Sequence, residues 1–228
     1  MIKIGQYNKL TVIKEVSFGL YLDGHDWGEI LLPNKYVHEG TKINDSINVF
    51  IYFDSENKII ATTQRPRVQV NQVAFLRVID VNRAGTFLDW GLDKDLLAPR
   101  SEQRRPLEKG RSYLFYVSLD RDGRIIASSK LDRFLDKTPA PYHRGDEVDI
   151  FIAEQSDLGH KVIINHAHWG LIHASDIFQT LNYGQRVQAF IKEIRPDGKI
   201  DVCLRKAGQD NIRELAASIL DKLKNAGG

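Results

Sequence analysis

The sequence has little cysteine, no long apolar run and no large excess of either charge, and each lack removes a class of protein. Cys203 is the single cysteine among 228 residues, so an intrachain disulfide and a zinc knuckle are both excluded. No apolar run nears the roughly 20 residues that cross a bilayer, so no membrane partner is expected. The opening Met1-Ile2-Lys3-Ile4-Gly5-Gln6-Tyr7 alternates like a strand and lacks the basic and apolar regions of a secretory signal. The simplest setting is the cytosol. A Gly-rich phosphate loop, a nucleophile elbow and a carboxylate cluster are all missing. His166, His168 and His173 have no Asp or Glu at a recognisable metal spacing, and Cys203 sits between Val202 and Leu204 as a small buried thiol would. The expectation is a protein that is not an enzyme and uses no cofactor or metal.

A net charge of +2 says little alone, but its distribution is uneven. Residues 67–135 hold 13 basic against 9 acidic residues, while residues 1–66 hold 7 against 8 and residues 136–206 hold 9 against 10. The positive excess is a patch in the middle third.

What is abundant is strand. Short runs of Val, Ile, Leu, Phe and Tyr are separated by Gly, Asn, Asp and Pro, and they recur in threes. The first unit reads Asn8–Ile13, Gly19–Leu22, Glu29–Pro33, Val49–Phe53 and Lys58–Thr63. The second reads Ala74–Val78, Gly85–Leu88, Asp95–Pro99, Tyr113–Val117 and Arg124–Ser129. The third reads Val148–Ile152, Lys161–Ile164, Trp169–His173, Val187–Ile191 and Lys199–Leu204. The last hairpin of each unit carries an Asn or Gly where a tight turn needs positive φ: Asn57, Gly123 and Gly198. Five short strands escape exposed edges by closing into a Greek-key barrel, the OB-fold solution. The predicted fold is all-β, with barrels at residues 1–66, 67–135 and 142–206. Breaks fall at Arg65-Pro66-Arg67 and Lys137-Thr138-Pro139-Ala140-Pro141. Ile212, Leu215, Ala216, Ile219, Leu220 and Leu223 then recur at helical steps, predicting an amphipathic helix over 207–228. It reads equally as a cap on the third barrel or as the start of another module or docking element.

Several segments resemble the S1 RNA-binding domain, a branch of the OB fold. Ser17-Phe18-Gly19-Leu20-Tyr21-Leu22 and Ala84-Gly85-Thr86-Phe87-Leu88 look like that family's Phe-Gly-x-Phe/Tyr strand. Trp169-Gly170-Leu171-Ile172-His173-Ala174-Ser175 looks like its Gly-Leu-Ile/Val-His-x-Ser strand. Gly184–Val187 and Asp197–Arg205 resemble its closing strands. The order of the units, with Leu-Pro or Ala-Pro ending the third strand of the first two, further resembles the bacterial conserved virulence factor B family. That family has three S1-type domains followed by a winged helix, which would develop where this sequence stops. The resemblance implies single-stranded RNA as partner and a role in post-transcriptional regulation.

The S1 working face is formed by the second and third strands, so its residues carry over position by position. Phe18 and Tyr21 match both aromatic positions in unit one, Phe87 matches the second in unit two, and His173 matches the third-strand histidine in unit three. Alternation puts Leu20 and Leu22 on one face and Tyr21 on the other, whereas Phe18 and Phe87 read equally as contact or core. Pro33 and Pro99 replace the histidine, Ala84 replaces one aromatic, and unit three has Leu158, His160 and Lys161 near the aromatic positions. Each barrel is therefore expected to bind weakly, with affinity arising from linkage. Arg83, Arg100, Arg104 and Arg105 flank these strands in the positive unit, either as phosphate contacts or as solvated loop charges. The alternative is a protein-binding scaffold, acting through the third barrel or the C-terminal helix.

Overall fold

The computed structural model describes residues 1–205. They form two compact units, one of residues 1–131 with two five-stranded sheets and one from Asp132 onward with a third. The helical elements among them are three-residue turns. The helix expected over 207–228 lies outside the described residues.

The first barrel comprises β1 (Tyr7–Val16), β2 (Gly19–Asp23), β3 (Glu29–Pro33), β4 (Ser46–Phe53) and β5 (Ile59–Thr62). Its order is β1-β2-β3-β5-β4, closed by a parallel bridge between Leu31 and Ile60 and by β1 pairing with β4. The second comprises β6 (Val73–Val81), β7 (Gly85–Asp89), β8 (Leu96–Pro99), β9 (Ser112–Leu119) and β10 (Ile125–Ser128). Its ladder runs β10-β9-β6-β7-β8, an open sheet in which β8 and β10 lie side by side without a ladder bridge. The third comprises β11 (Glu147–Ser156), β12 (Gly159–Ile164), β13 (His168–His173), β14 (Arg186–Ile194) and β15 (Ile200–Cys203). It closes like the first, through Leu171 and Asp201.

Alternation decides which side chains fill each interior. Leu20 and Leu22, Thr86 and Leu88, and His160 and Val162 all point inward from the second strand and are buried. The first strand of every unit carries a register shift at one place, Val12/Lys14, Val78/Asp80 and Ile152/Glu154. Such a bulge bends the strand so that it can serve two neighbours around a closed sheet. The second strand of every unit opens on a glycine because its third strand passes too close for a side chain. A Cβ on Gly19, Gly85 or Gly159 would meet the carbonyl oxygen of Leu32, Ala98 or Ile172 at 2.3, 2.3 or 2.0 Å.

Strand β4 departs from alternation, since Val49, Phe50, Ile51 and Tyr52 are all buried. Val49 and Ile51 enter the first core, while Phe50 and Tyr52 turn outward into the core of the second sheet. There Phe50 and Tyr52 meet Trp90 edge-on, at ring-centroid distances of 5.7 and 6.4 Å. Burying such aromatics contributes roughly 1.5–3 kcal/mol each. The joint is tied further by Val70 N–H donating to Gly5 carbonyl at 2.8 Å. Asp93 adds to it by accepting from Lys35, Tyr36 and Gln64. Barrels one and two thus share a packed interior.

Within the second unit, the Pro-containing segment ahead of β11 is pinned to its barrel. The buried His168 contacts the Tyr142 hydroxyl through Nδ1 at 3.0 Å and the Thr138 carbonyl through Nε2 at 2.9 Å. Asp136 accepts from the Trp169 backbone N–H at 2.9 Å.

Candidate nucleic-acid interface

The outward face of the second and third strands presents a matching set of side chains at one register in each unit. In barrel one, Tyr21 opposes Leu31, which bridges Ile60. In barrel two, Phe87 opposes Leu97. In barrel three, Lys161 opposes Leu171, which bridges Asp201. Tyr21, Leu31, Phe87, Leu97, Lys161 and Leu171 alternate with the core positions and are half-buried, whereas Ile60 packs against the core of the second sheet and Asp201 is buried.

On barrel one, Tyr21 is half-buried and Phe18 is 55% exposed. The two rings meet edge to face at 6.3 Å, and Lys14 Nζ lies 5.5 Å from the centre of the Tyr21 ring. That is an outward aromatic pair beside a cation.

On barrel two, the half-buried Phe87 lines a cleft of about 510 Å³ together with Leu97 and Ile126. Phe53, Ser55 and Asn57, from the β4–β5 hairpin of barrel one, form its far wall. Burial, with Asp89 and Asp80 nearby, raises the Asp95 carboxyl above its ordinary value, and burial lowers the Lys94 ammonium. At the other end of β7 and β8, Arg100, Arg104 and Arg105 surround a second cavity of about 410 Å³ with Val81 and Leu107. The Arg100 guanidinium donates to the Asn82 carbonyl at 3.1 Å, and that of Arg105 lies 5.7 Å from the Tyr113 ring centre. The structure thus brings three of the four arginines together, while Arg83 is exposed in the neighbouring β6–β7 turn.

On barrel three, a cleft of about 540 Å³ is lined by Lys161, Trp169, Leu171, Arg195 and Asp201. Lys161 Nζ stands 3.7 Å from the Trp169 ring centre and 3.7 Å from the Asp132 carboxylate. Asp201, almost wholly buried, accepts a two-pronged bond from Arg195 at 2.8 and 2.9 Å. Arg195 also donates to His173 Nε2 at 2.8 Å. The same ring nitrogen lies 3.2 Å from Asp201 Oδ1, so His173 completes a network with the pair. His160 needs a correction. Expected at the RNA-facing surface, it is only 7% exposed, because alternation puts it on the core side of β12 with Val162 and Ile164. Its Nδ1 has no hydrogen-bond partner.

Three residues of this groove were missing from the sequence-based set. Trp169 lay inside the motif that singled out His173, and its place on the outer face follows from alternation along β13. Asp201 was visible only as a polar residue between Ile200 and Val202. Arg195 carried no signal, since its role depends on the β14–β15 hairpin returning it to Asp201. Among the described residues, no three His, Cys, Asp or Glu side chains gather as metal ligands, and no helix is long and apolar enough to cross a membrane.

Residues 4–64 match the S1 domain family. The chain is similar to the uncharacterized protein YitL of Bacillus subtilis strain 168, at 27% identity over 98% of the chain and 78% of that protein. It is also similar to conserved virulence factor B of Staphylococcus saprophyticus, at 20% identity over 60% of the chain and 48% of that protein's length. The resemblance to that factor read from the order of the units therefore holds. A crystal structure of a multidomain protein with nucleic acid binding domains from Streptococcus pneumoniae TIGR4 superposes on 99% of the chain and 82% of its own. The TM-score is 0.50 and the identity 20%, a likeness of fold.

Proposed function

We propose that the chain binds single-stranded RNA in the cytosol, each unit contributing one weak groove, and that it acts in post-transcriptional control. The binding units are assigned to residues 1–66, 67–135 and 142–206. The observation that carries this reading is the recurrence of one outward set of positions at one register on three barrels, lining clefts on the second and third. Each set combines a flat ring with a nearby cation: Tyr21 with Lys14, Phe87 with the Arg100, Arg104 and Arg105 cavity, and Trp169 with Lys161. Rings stack on unpaired bases at roughly 1–3 kcal/mol per base, and cations follow the phosphates. The S1 match over residues 4–64 and the nucleic acid binding domains of the streptococcal protein support it.

Fluorescence anisotropy with labelled poly-U and poly-A at two salt concentrations tests the proposal. Salt-sensitive binding is expected, and an Arg100/Arg104/Arg105 triple alanine should flatten the slope of log affinity against log salt by up to about two units. An unchanged slope removes these side chains from the phosphate path. A second reading, a protein-binding scaffold, is favoured by Leu158 and Phe178, which leave barrel three 69% and 64% exposed. It gains if no salt-sensitive RNA binding appears below the high-micromolar range.

A further inference from the structure

The groove of barrel two has an additional wall, supplied by a different barrel. Phe53, Ser55 and Asn57 of the β4–β5 hairpin face Phe87, Leu97 and Ile126 across about 510 Å³, a size suited to a small organic group. The wall is fixed in place. The Lys94 ammonium donates to the Asp54 carbonyl at the root of the hairpin at 2.5 Å, and Phe50 and Tyr52 of β4 are packed against Trp90. The gap between the walls is therefore preformed, and no domain movement is needed to make it.

The cations in the cleft are already engaged. Arg124 is held by Asp120 and Asp122 at 2.9 and 2.8 Å, and Lys94 by the Asp54 carbonyl. A phosphate would find no uncommitted cation there. A flat neutral ring would find Phe87, Leu97 and Ile126 on one side, and an amide from Asn57 at the edge. Positive charge held more loosely lies just outside, where Arg100 donates at 3.1 Å to the Asn82 carbonyl and Arg105 lies over the Tyr113 ring. Gly85 and Arg100, which line the arginine cavity, are two and three residues along their strands from Phe87 and Leu97. At about 3.3 Å per residue that is roughly 7–10 Å, within reach of the sugar-phosphate of a base seated in the cleft.

We infer that barrels one and two together form a slot for a single nucleobase, unstacked from its neighbours, while Arg100, Arg104 and Arg105 hold the phosphates beside it. This rests on the RNA-binding reading and gives barrel two a mode of its own: one base inserted between two barrels. The test compares a fluorescein-labelled oligoadenylate with an abasic strand of equal length. Leu97→Trp fills the slot from barrel two and Ser55→Trp fills it from barrel one. Each should weaken oligoadenylate binding roughly tenfold and leave the abasic strand unaffected. Ser55 is exposed on a hairpin, so that variant carries the test if Leu97→Trp fails to fold. Equal losses on both strands, or no loss on either, overturn the slot. If the unaltered protein binds neither strand, the RNA-binding reading falls and the slot with it. If it binds both and the two variants match it, the slot alone falls.

Discussion

Barrels two and three place their grooves at the same register of the same fold, yet fill them with opposite chemistry. The floor of the barrel-two groove is Phe87, Leu97 and Ile126, whereas barrel three has Lys161, Leu171 and Asp201. The hairpin position that holds Asp120 in barrel two holds Arg195 in barrel three, both at the head of the final turn. These two differences depend on each other. A carboxylate at Asp201 beside another at the Arg195 position would be two like charges with little water between them. The arginine makes the buried aspartate tolerable, and the pair then holds His173 by a hydrogen bond. The backbone therefore decides where a groove lies, and two coupled side chains decide whether it stacks a ring or offers a charged network.

The most severe way to break the comparison is to remove what both grooves share. Gly85→Ala and Gly159→Ala each push a methyl group into the carbonyl of the neighbouring strand, at 2.3 and 2.0 Å. Both should lose about 3 kcal/mol or more in chemical denaturation. A loss below about 1 kcal/mol in either would show that β7–β8 or β12–β13 can spread apart, and that the shared backbone does not fix the groove.

Next comes the chemistry peculiar to barrel three. Asp201→Ala leaves Arg195 partly buried without its carboxylate. Because about a third of the Arg195 side chain reaches solvent, the loss in chemical denaturation should fall below that of a fully buried pair and below that of the glycine variants. Ile126→Ala, at the equivalent place in barrel two, removes only apolar contact. If RNA affinity survives Asp201→Ala unchanged at a temperature where the protein stays folded, the charged network serves stability and not recognition.

Smaller again is the contrast between ring and cation. Phe87→Ala should weaken RNA binding by about 1–2 kcal/mol with little change in salt dependence. Lys161→Ala should instead reduce the salt slope by about one unit, unless its Asp132 and Trp169 contacts occupy it fully. Both variants should melt close to the parent protein, since both side chains lie outside the barrel interiors. Anisotropy titrations at several salt concentrations separate the two, and identical profiles would erase the distinction between the grooves.

How much of this the sequence carried follows from how local each feature is. Strands and barrels were legible because alternation and turn residues are read within five or six positions. Leu20, Leu22 and Asn57 announce themselves. The place of His160 was equally local, sharing parity with Val162 and Ile164, but it was overridden by its nearness to the aromatic positions of the S1 strand. Tertiary facts were not legible. Nothing near Phe50 or Tyr52 marks them as part of another sheet's core, although four successive buried residues are what two-sided packing produces. The bond between Arg195 and Asp201 needs a hairpin to close, and the slot beside Phe87 needs two barrels.

The least effect concerns the joint that barrel one makes with barrel two, and its sign can be worked out. Lys35, then Tyr36 and Gln64, hydrogen-bond the Asp93 carboxylate and hold its carboxyl below the ordinary carboxylate value. A group whose pKa is lower folded than unfolded contributes stability above the unfolded value, near 3.9, and loses it as pH falls through the folded one. Asp93 and Lys35 are both more than half exposed, so solvent screens the pair and the contribution is small. The melting temperature of Asp93→Asn should therefore lie slightly below that of the parent at pH 7, and the gap should narrow as the pH falls below the unfolded value. A gap that persists unchanged in acid would mean that Asp93 supports the joint through its shape and neutral hydrogen bonds. The preformed wall of the barrel-two groove would then rest on the Phe50, Tyr52 and Trp90 packing, which acid does not touch.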